Sequence, residues 1–272
     1  MGREKITLSG PQETMLATLY GRAIDNRSAQ PILRDRAAEQ ALELIDYDFR
    51  KTGMTPMSAA GIALRARQLD RWTAEFVTAN PEATVLHLAC GLDTRAQRLA
   101  VPPTVLWVDV DHPEVVELRE RLLTPPSGDY RMVGASVLED GWLDEVPADR
   151  PTVAVFEGLT MYLRQEDGKR LVQRICERFP SGRLLFDAYG PMGIRMQKLV
   201  PAVRNSGSTL HWGVADPREL EAWHPGLTCL DALRSVDMPG ISLMRPSGRA
   251  AMWVMAHLPG FRDVGWILRY RF

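Results

Sequence analysis

Apolar positions along the chain follow one spacing up to about residue 80 and another after it. Through residues 11–80 they recur at helical intervals, as at Leu64, Leu69, Trp72 and Phe76, and predict helices over 14–24, 34–44 and 57–78 with no strand among them. Asn80-Pro81 is a stop signal, and no linker long enough to separate domains precedes it. Short continuous apolar runs then take over. They predict strands at 85–88, 105–108, 130–135, 152–156 and 183–187, with helical segments over 93–99, 113–123 and 165–179 between them. Strands this uniformly apolar, alternating with helices, imply an α/β fold whose mostly parallel sheet is covered on both faces. A helix over 216–223, opened by the capping box of Asp216 and Glu219, leads to a strand-like run at 227–236. A helix around 249–257 and a closing strand over 263–272 complete the sheet.

The stretch TVLHLACGLDTRAQRLAVPPTVLWVDVD, residues 84–111, carries the chemistry. Its first strand stops at Ala89-Cys90-Gly91, and its second at Asp109-Val110-Asp111, which puts Gly91 20 positions before Asp111. A nucleotide-binding fold holds an acid against a ribose diol at about that interval. A dinucleotide turn needs three glycines and a triphosphate site needs the Walker pattern; neither is present. One glycine beside an acid suits a sugar, a base and a cationic amino-acid tail, so S-adenosylmethionine is the expected ligand. Asp111, with Asp109 as the alternative, is the candidate ribose acid. Asp111 and Glu114 also spell a capping box with proline in the first turn, which is the purely structural alternative. The late strand pair and this unit together predict a class I, Rossmann-like methyltransferase core.

Composition excludes more than it selects. With 272 residues, 45% hydrophobic, the chain can bury a large core, and a single domain over 1–272 is expected. Residues 1–80 would form a helical cap on it. A net charge of -1 gives no reason to expect nucleic acid or anionic membrane as a partner. No apolar run approaches the roughly 20 residues of a membrane span. The opening MGREKITLSGPQET lacks a signal-type apolar core, so a cytoplasmic protein is expected. Cys90, Cys176 and Cys229 read as reduced thiols, and no Cys/His spacing suggests a metal.

HLACGLDTRAQRL, VDVDHPEV, FEGLTMYL, LLFDAYGP and HWGVADPREL, in that order, resemble the leucine carboxyl methyltransferase superfamily. The closer resemblance is to its bacterial branch of tetracenomycin-type polyketide O-methyltransferases. LYGRAIDNRSAQPILRD and ALRARQLDRW extend it over the opening helices. The resemblance implies methyl transfer from S-adenosylmethionine to oxygen, most typically of a carboxylate. It places the arginine for the cofactor carboxylate at Arg65, with Arg67 close behind, and a second basic residue at Arg22. It assigns the turn contacts to Ala89, Cys90 and Gly91, the ribose acid to Asp111, and the methionine amino end to Glu157. The family usually has glycine where Ala89 stands, and an acid for the adenine amino group where Ser136, followed by Val137, stands.

In-line methyl transfer mostly requires that nucleophile, methyl and sulfur be held in a row. A carboxylate acceptor is ionised at neutral pH and needs no base, whereas a phenol, with a pKa near ~10, wants one. No catalytic base is assigned. Tyr162, Tyr189, Arg195, His211 and Trp212 are the candidate acceptor contacts, the last three within a substrate lid expected over 190–213. Arg195, Lys198, Arg204 and His211 could attract an anion there. The rival readings are a decayed, non-catalytic protein of the same fold, for which Ala89 and Ser136 speak, and a nicotinamide-dependent reductase, against which the missing glycines speak.

Overall fold

The computed structural model describes residues 3–6 and 10–272. In chain order the elements are β1 (Glu4–Lys5), α1 (Pro11–Asn26), α2 (Arg36–Glu43), β2 (Ile45–Asp46) and α3 (Pro56–Ala79). The core follows as β3 (Thr84–Leu88), α4 (Arg95–Arg98), β4 (Leu106–Asp111), α5 (Pro113–Leu122), β5 (Asp129–Gly134), β6 (Thr152–Phe156), α6 (Gln165–Arg178) and β7 (Gly182–Tyr189). Two short helices, α7 (Pro191–Arg195) and α8 (Pro201–Asn205), precede β8 (Thr228–Arg234), α9 (Pro246–His257) and β9 (Gly265–Arg271).

Among the described residues the main sheet has seven strands, ordered β5-β4-β3-β6-β7-β9-β8. The first five are parallel, and β9 enters antiparallel between β7 and β8. Every residue of β3, β4 and β6 is buried, which is why these strands read as mainly apolar runs, interrupted by Thr84, His87, Asp109, Asp111 and Thr152. One core layer packs Leu86, Phe156, Phe186 and Tyr270 with α6. The other packs Val85, Val155 and Ile267 with Trp72 and Leu69 of α3. Strand order reverses between β3 and β6, so their C-terminal ends open a crevice there.

Three local expectations need correction. The predicted helix over 93–99 is a single turn, Arg95–Arg98, because Asp93 and Thr94 spend their side chains on buried contacts instead of extending it. The opening region does hold a strand: Ile45–Asp46 pairs in parallel with Glu4–Lys5, a two-residue ladder too short to leave a sequence period. The segment at Pro217–Trp223 is a 3-10 helix, although Asp216 caps it as expected by accepting from the Arg218 N–H.

Candidate cofactor and acceptor site

The chain leaves β3 through two left-handed residues, Ala89 at φ 48° and Gly91 at φ 49°. Such a turn aims backbone groups at whatever lies beyond the strand end. β4 lies beside β3 with Leu88 opposite Val110, which brings Asp111 to the turn. Its Oδ2 accepts from the Gly91 N–H at 2.7 Å, and its Oδ1 from the His112 N–H at 2.8 Å. Burial raises the Asp111 pKa despite these two bonds. The capping-box alternative fails here: His112 is the N-cap of α5, and Glu114 accepts from the Gln12 amide instead. Asp109 is also ruled out as ribose acid, because its side chain is already engaged by His87, Trp107, Arg119 and Tyr130 and is fully buried.

Across the crevice Glu157 follows β6 and meets three guanidinium groups. Arg95 donates to its Oε2 at 2.7 Å, and Arg22 and Arg65 both donate to its Oε1 at 3.1 Å. Burial alone would raise its pKa, but Arg65, Arg22 and Arg95 outweigh that and pull it down to about 2. Arg65 also donates to Oδ2 of Asp187 on β7 at 2.8 Å, while Oδ1 of Asp187 accepts from the Gly158 N–H at 2.6 Å. The Asp187 pKa is nonetheless raised, since burial and the charge of Glu157 exceed what Arg65 returns. Behind these residues Arg95 reaches Asp70 and Asp93, and Arg98 reaches Asp35, Asp70 and Asp93.

All nine expected cofactor residues, Arg22, Arg65, Ala89, Cys90, Gly91, Asp111, Ser136, Val137 and Glu157, line one cavity of about 690 Å³. Arg22 is 2% exposed, and its Nε is buried without a partner in that wall. An unsatisfied buried donor beside Arg65 fits an amino-acid carboxylate, and Asp111 at the glycine turn fits a ribose diol. The residues present therefore suit an adenosyl amino acid.

Of the acceptor candidates, Tyr162 and Tyr189 reach the cavity, and the Tyr162 hydroxyl donates to Thr14 Oγ1 at 3.1 Å. The other three do not. Arg195 and His211 are exposed and lie off the wall, as do Lys198 and Arg204. Trp212 is buried against Trp223, with ring centroids 5.3 Å apart, and against Gly168 of α6. The 190–213 segment meets the cavity through Met196, Leu199, Val200 and Val203. Its apolar side faces in and its cations face water, the reverse of the expectation, because burying unpaired cations would cost more than burying methylenes. Sequence reasoning missed Asp93, Arg95 and Asp187; the motifs GLDTR and FDAYGP contained them, but nothing in spacing tells a buried ion pair from a surface one.

Sheet order, left-handed turn, edge carboxylate and arginine cluster together define a class I S-adenosylmethionine-dependent methyltransferase. The profile of the leucine carboxyl methyltransferase family matches residues 15–176, and the chain belongs to that family. It is 44% identical to the tetracenomycin polyketide synthesis O-methyltransferase TcmP of Streptomyces glaucescens, over 99% of each chain. It is 36% identical to the S-adenosyl-L-methionine-dependent methyltransferase dpfgK of Gibberella zeae, covering 84% of this chain and 83% of that one. Among solved structures, a duf574 family protein from Streptomyces avermitilis superposes with a TM-score of 0.57 at 18% identity, covering 93% of this chain and 96% of that one. At that identity the match speaks for the fold alone. The chain is an enzyme, and S-adenosylmethionine is its methyl donor.

Proposed function

We propose that the protein methylates a carboxylate oxygen on an apolar, polyketide-like small molecule, without a general base. The observation that carries this is the composition of the cavity beyond the cofactor residues. Met54, Met161, Val200, Met238, Met252 and Met255 line it, and no lid cation reaches it. Among the described residues its histidines are His87 and His112. His87 is held by Asp109, and its charge is spent there. An acceptor that arrives already ionised needs no help from such a wall, whereas a phenol would.

When bound, S-adenosylmethionine supplies an electrophilic methyl on a cationic sulfur. Arg22 and Arg65 hold its carboxylate, Glu157 its ammonium and Asp111 the ribose, while the turn at Ala89, Cys90 and Gly91, with Ser136 and Val137, flanks the adenosine. Tyr162 and Tyr189 orient the acceptor. An apolar chamber would leave the acceptor carboxylate poorly hydrated and so more reactive toward a cationic methyl donor. Holding the two in line substitutes for acid–base chemistry.

On this reading the chain works as one methyltransferase domain. Its first 80 residues supply Arg22 and Arg65, and the 190–213 segment closes over the acceptor. Its site of action is the cytoplasm, where Cys90, Cys176 and Cys229, all unpaired, stay reduced. The similarity to TcmP supports the acceptor class. The test is incubation with methyl-labelled cofactor and matched pairs of polycyclic aromatic acids and their decarboxylated phenols. Methyl esters should form at a rate flat from about pH 6 to about pH 9, above the ordinary carboxylate range. Phenol ethers as the sole product, with a rate that climbs with pH, would overturn the proposal.

A further inference from the structure

Residues 238–262 contain three arginines and no aspartate or glutamate, in a chain whose net charge is -1. This segment carries α9, and α9 bears apolar side chains on both its cavity side and its outer side. Its inner face puts Met252 and Met255 on the cavity wall. Its outer face is uncovered: Trp253 is 64% exposed, Val254 46%, Leu258 44%, and Leu243 in the preceding turn 40%. Helical spacing aligns Arg245, Arg249, Trp253 and His257 in one exposed row, with Ala250, Val254 and Leu258 beside it. Arg67, also exposed, comes close to this surface at Gly240. Among the described residues Arg67, Arg245, Arg249 and Arg262 make no ion pair; of the two flanking acids, Asp263 is already bonded to Arg234, and Asp237 stands exposed just before the segment.

An apolar helix face this exposed calls for a cover, and its cationic rim calls for an anionic one. A second copy packed two-fold on this face would set arginine against arginine with no acid from within the segment to separate them. An anionic bilayer needs only the composition observed: tryptophan and leucine at interfacial depth, and arginines among the headgroups. The bilayer would also put the lipid phase on one side of α9 and the acceptor cavity on the other.

We propose that α9 is a membrane-docking helix that seats the enzyme on anionic lipid, with the cavity wall facing the bilayer interface. The chain-wide charge pointed away from such a partner because an average hides this local segregation.

The test is co-sedimentation of the full chain with vesicles of phosphatidylglycerol and phosphatidylcholine against vesicles of phosphatidylcholine alone, at low and high salt. Binding should favour the anionic vesicles and fall with salt. It should weaken roughly fivefold for each of Arg245→Gln and Arg249→Gln, at the typical cost of losing one surface cation. Trp253→Ala should weaken it too, and calorimetry should show cofactor affinity unchanged in all three variants. Absence of binding to anionic vesicles would overturn the proposal, as would binding that none of the variants alters. A concentration-dependent dimer that Trp253→Ala dissolves would overturn it in favour of self-association.

Discussion

Ala89 is a single methyl group held in a backbone region that L-residues avoid. At φ 48° it carries a penalty of about 1–2 kcal/mol that glycine would not. Glycine in turn loses more freedom on folding, by about 0.4–1 kcal/mol. Ala89→Gly should therefore stabilise the protein by about 0.5–1 kcal/mol, seen as a higher midpoint in urea at unchanged slope. Ser136 presents the opposite case, an exchange whose effect lies in the ligand. It lines the cavity, and its hydroxyl accepts only a long bond from the Leu138 N–H, at 3.3 Å. A carboxylate accepts more strongly than a hydroxyl, by about 1 kcal/mol. Ser136→Asp should bind S-adenosylmethionine roughly fivefold more tightly by calorimetry; unchanged or weaker binding counts against an adenine contact there.

Elements are fixed by what they pack against, and two helical glycines show it. At Gly168 in α6 an added Cβ would stand 2.5 Å from Trp212 Cζ3, whereas at Gly61 in α3 it would meet nothing within 4 Å. Alanine favours a helix interior by about 1 kcal/mol at either position. Overpacking costs about 1–3 kcal/mol, and Trp212 cannot turn aside because Trp223 backs it. Gly168→Ala should therefore lower stability by up to about 2 kcal/mol, and Gly61→Ala should raise it by about 1 kcal/mol, both read from denaturant curves. If the first substitution stabilised the protein as much as the second, Trp212 would not be a packed core residue. Local periodicity foretold both helices, but the motif that contained Trp212 invited a ligand role for it that its packing partners refuse.

At the scale of the whole molecule the site rests on a buried ionic layer. It runs from Arg119 and Asp109 through His87, Asp93 and Arg95 to Glu157, Arg65 and Asp187. His87 pairs across the strands with Asp109, its Nδ1 2.9 Å from Oδ1, while Asp93 stands 3.6 Å from Nε2. Burial disfavours a charged imidazole, and the nearby Arg95 does too, but Asp109 and Asp93 prevail and the pKa is raised. A raised folded pKa contributes stability that is complete below the ordinary histidine value of about 6.5 and lost as pH rises through the folded value. Melting temperature should therefore fall with rising pH above neutrality in the natural protein, and that slope should flatten in His87→Asn. Breaking such a layer by removing one partner costs more than any single contact suggests, since it strands the other charge in a dry interior.

The order of residues alone determined the α/β class, most strand positions, the turn at Ala89 to Gly91 and the carboxylate at Asp111. These follow from local periods and from a spacing that a βαβ unit fixes by its own length. Tertiary structure alone decided which charges are buried and with whom. Arg22 meets Glu157 across 135 positions and Arg65 meets Asp187 across 122, distances over which no sequence period operates. It also decided that the cations of 190–213 face water while those flanking α9 rim an uncovered apolar face. A side chain's burial depends on elements far away in the chain, and only the assembled sheet brings those elements together.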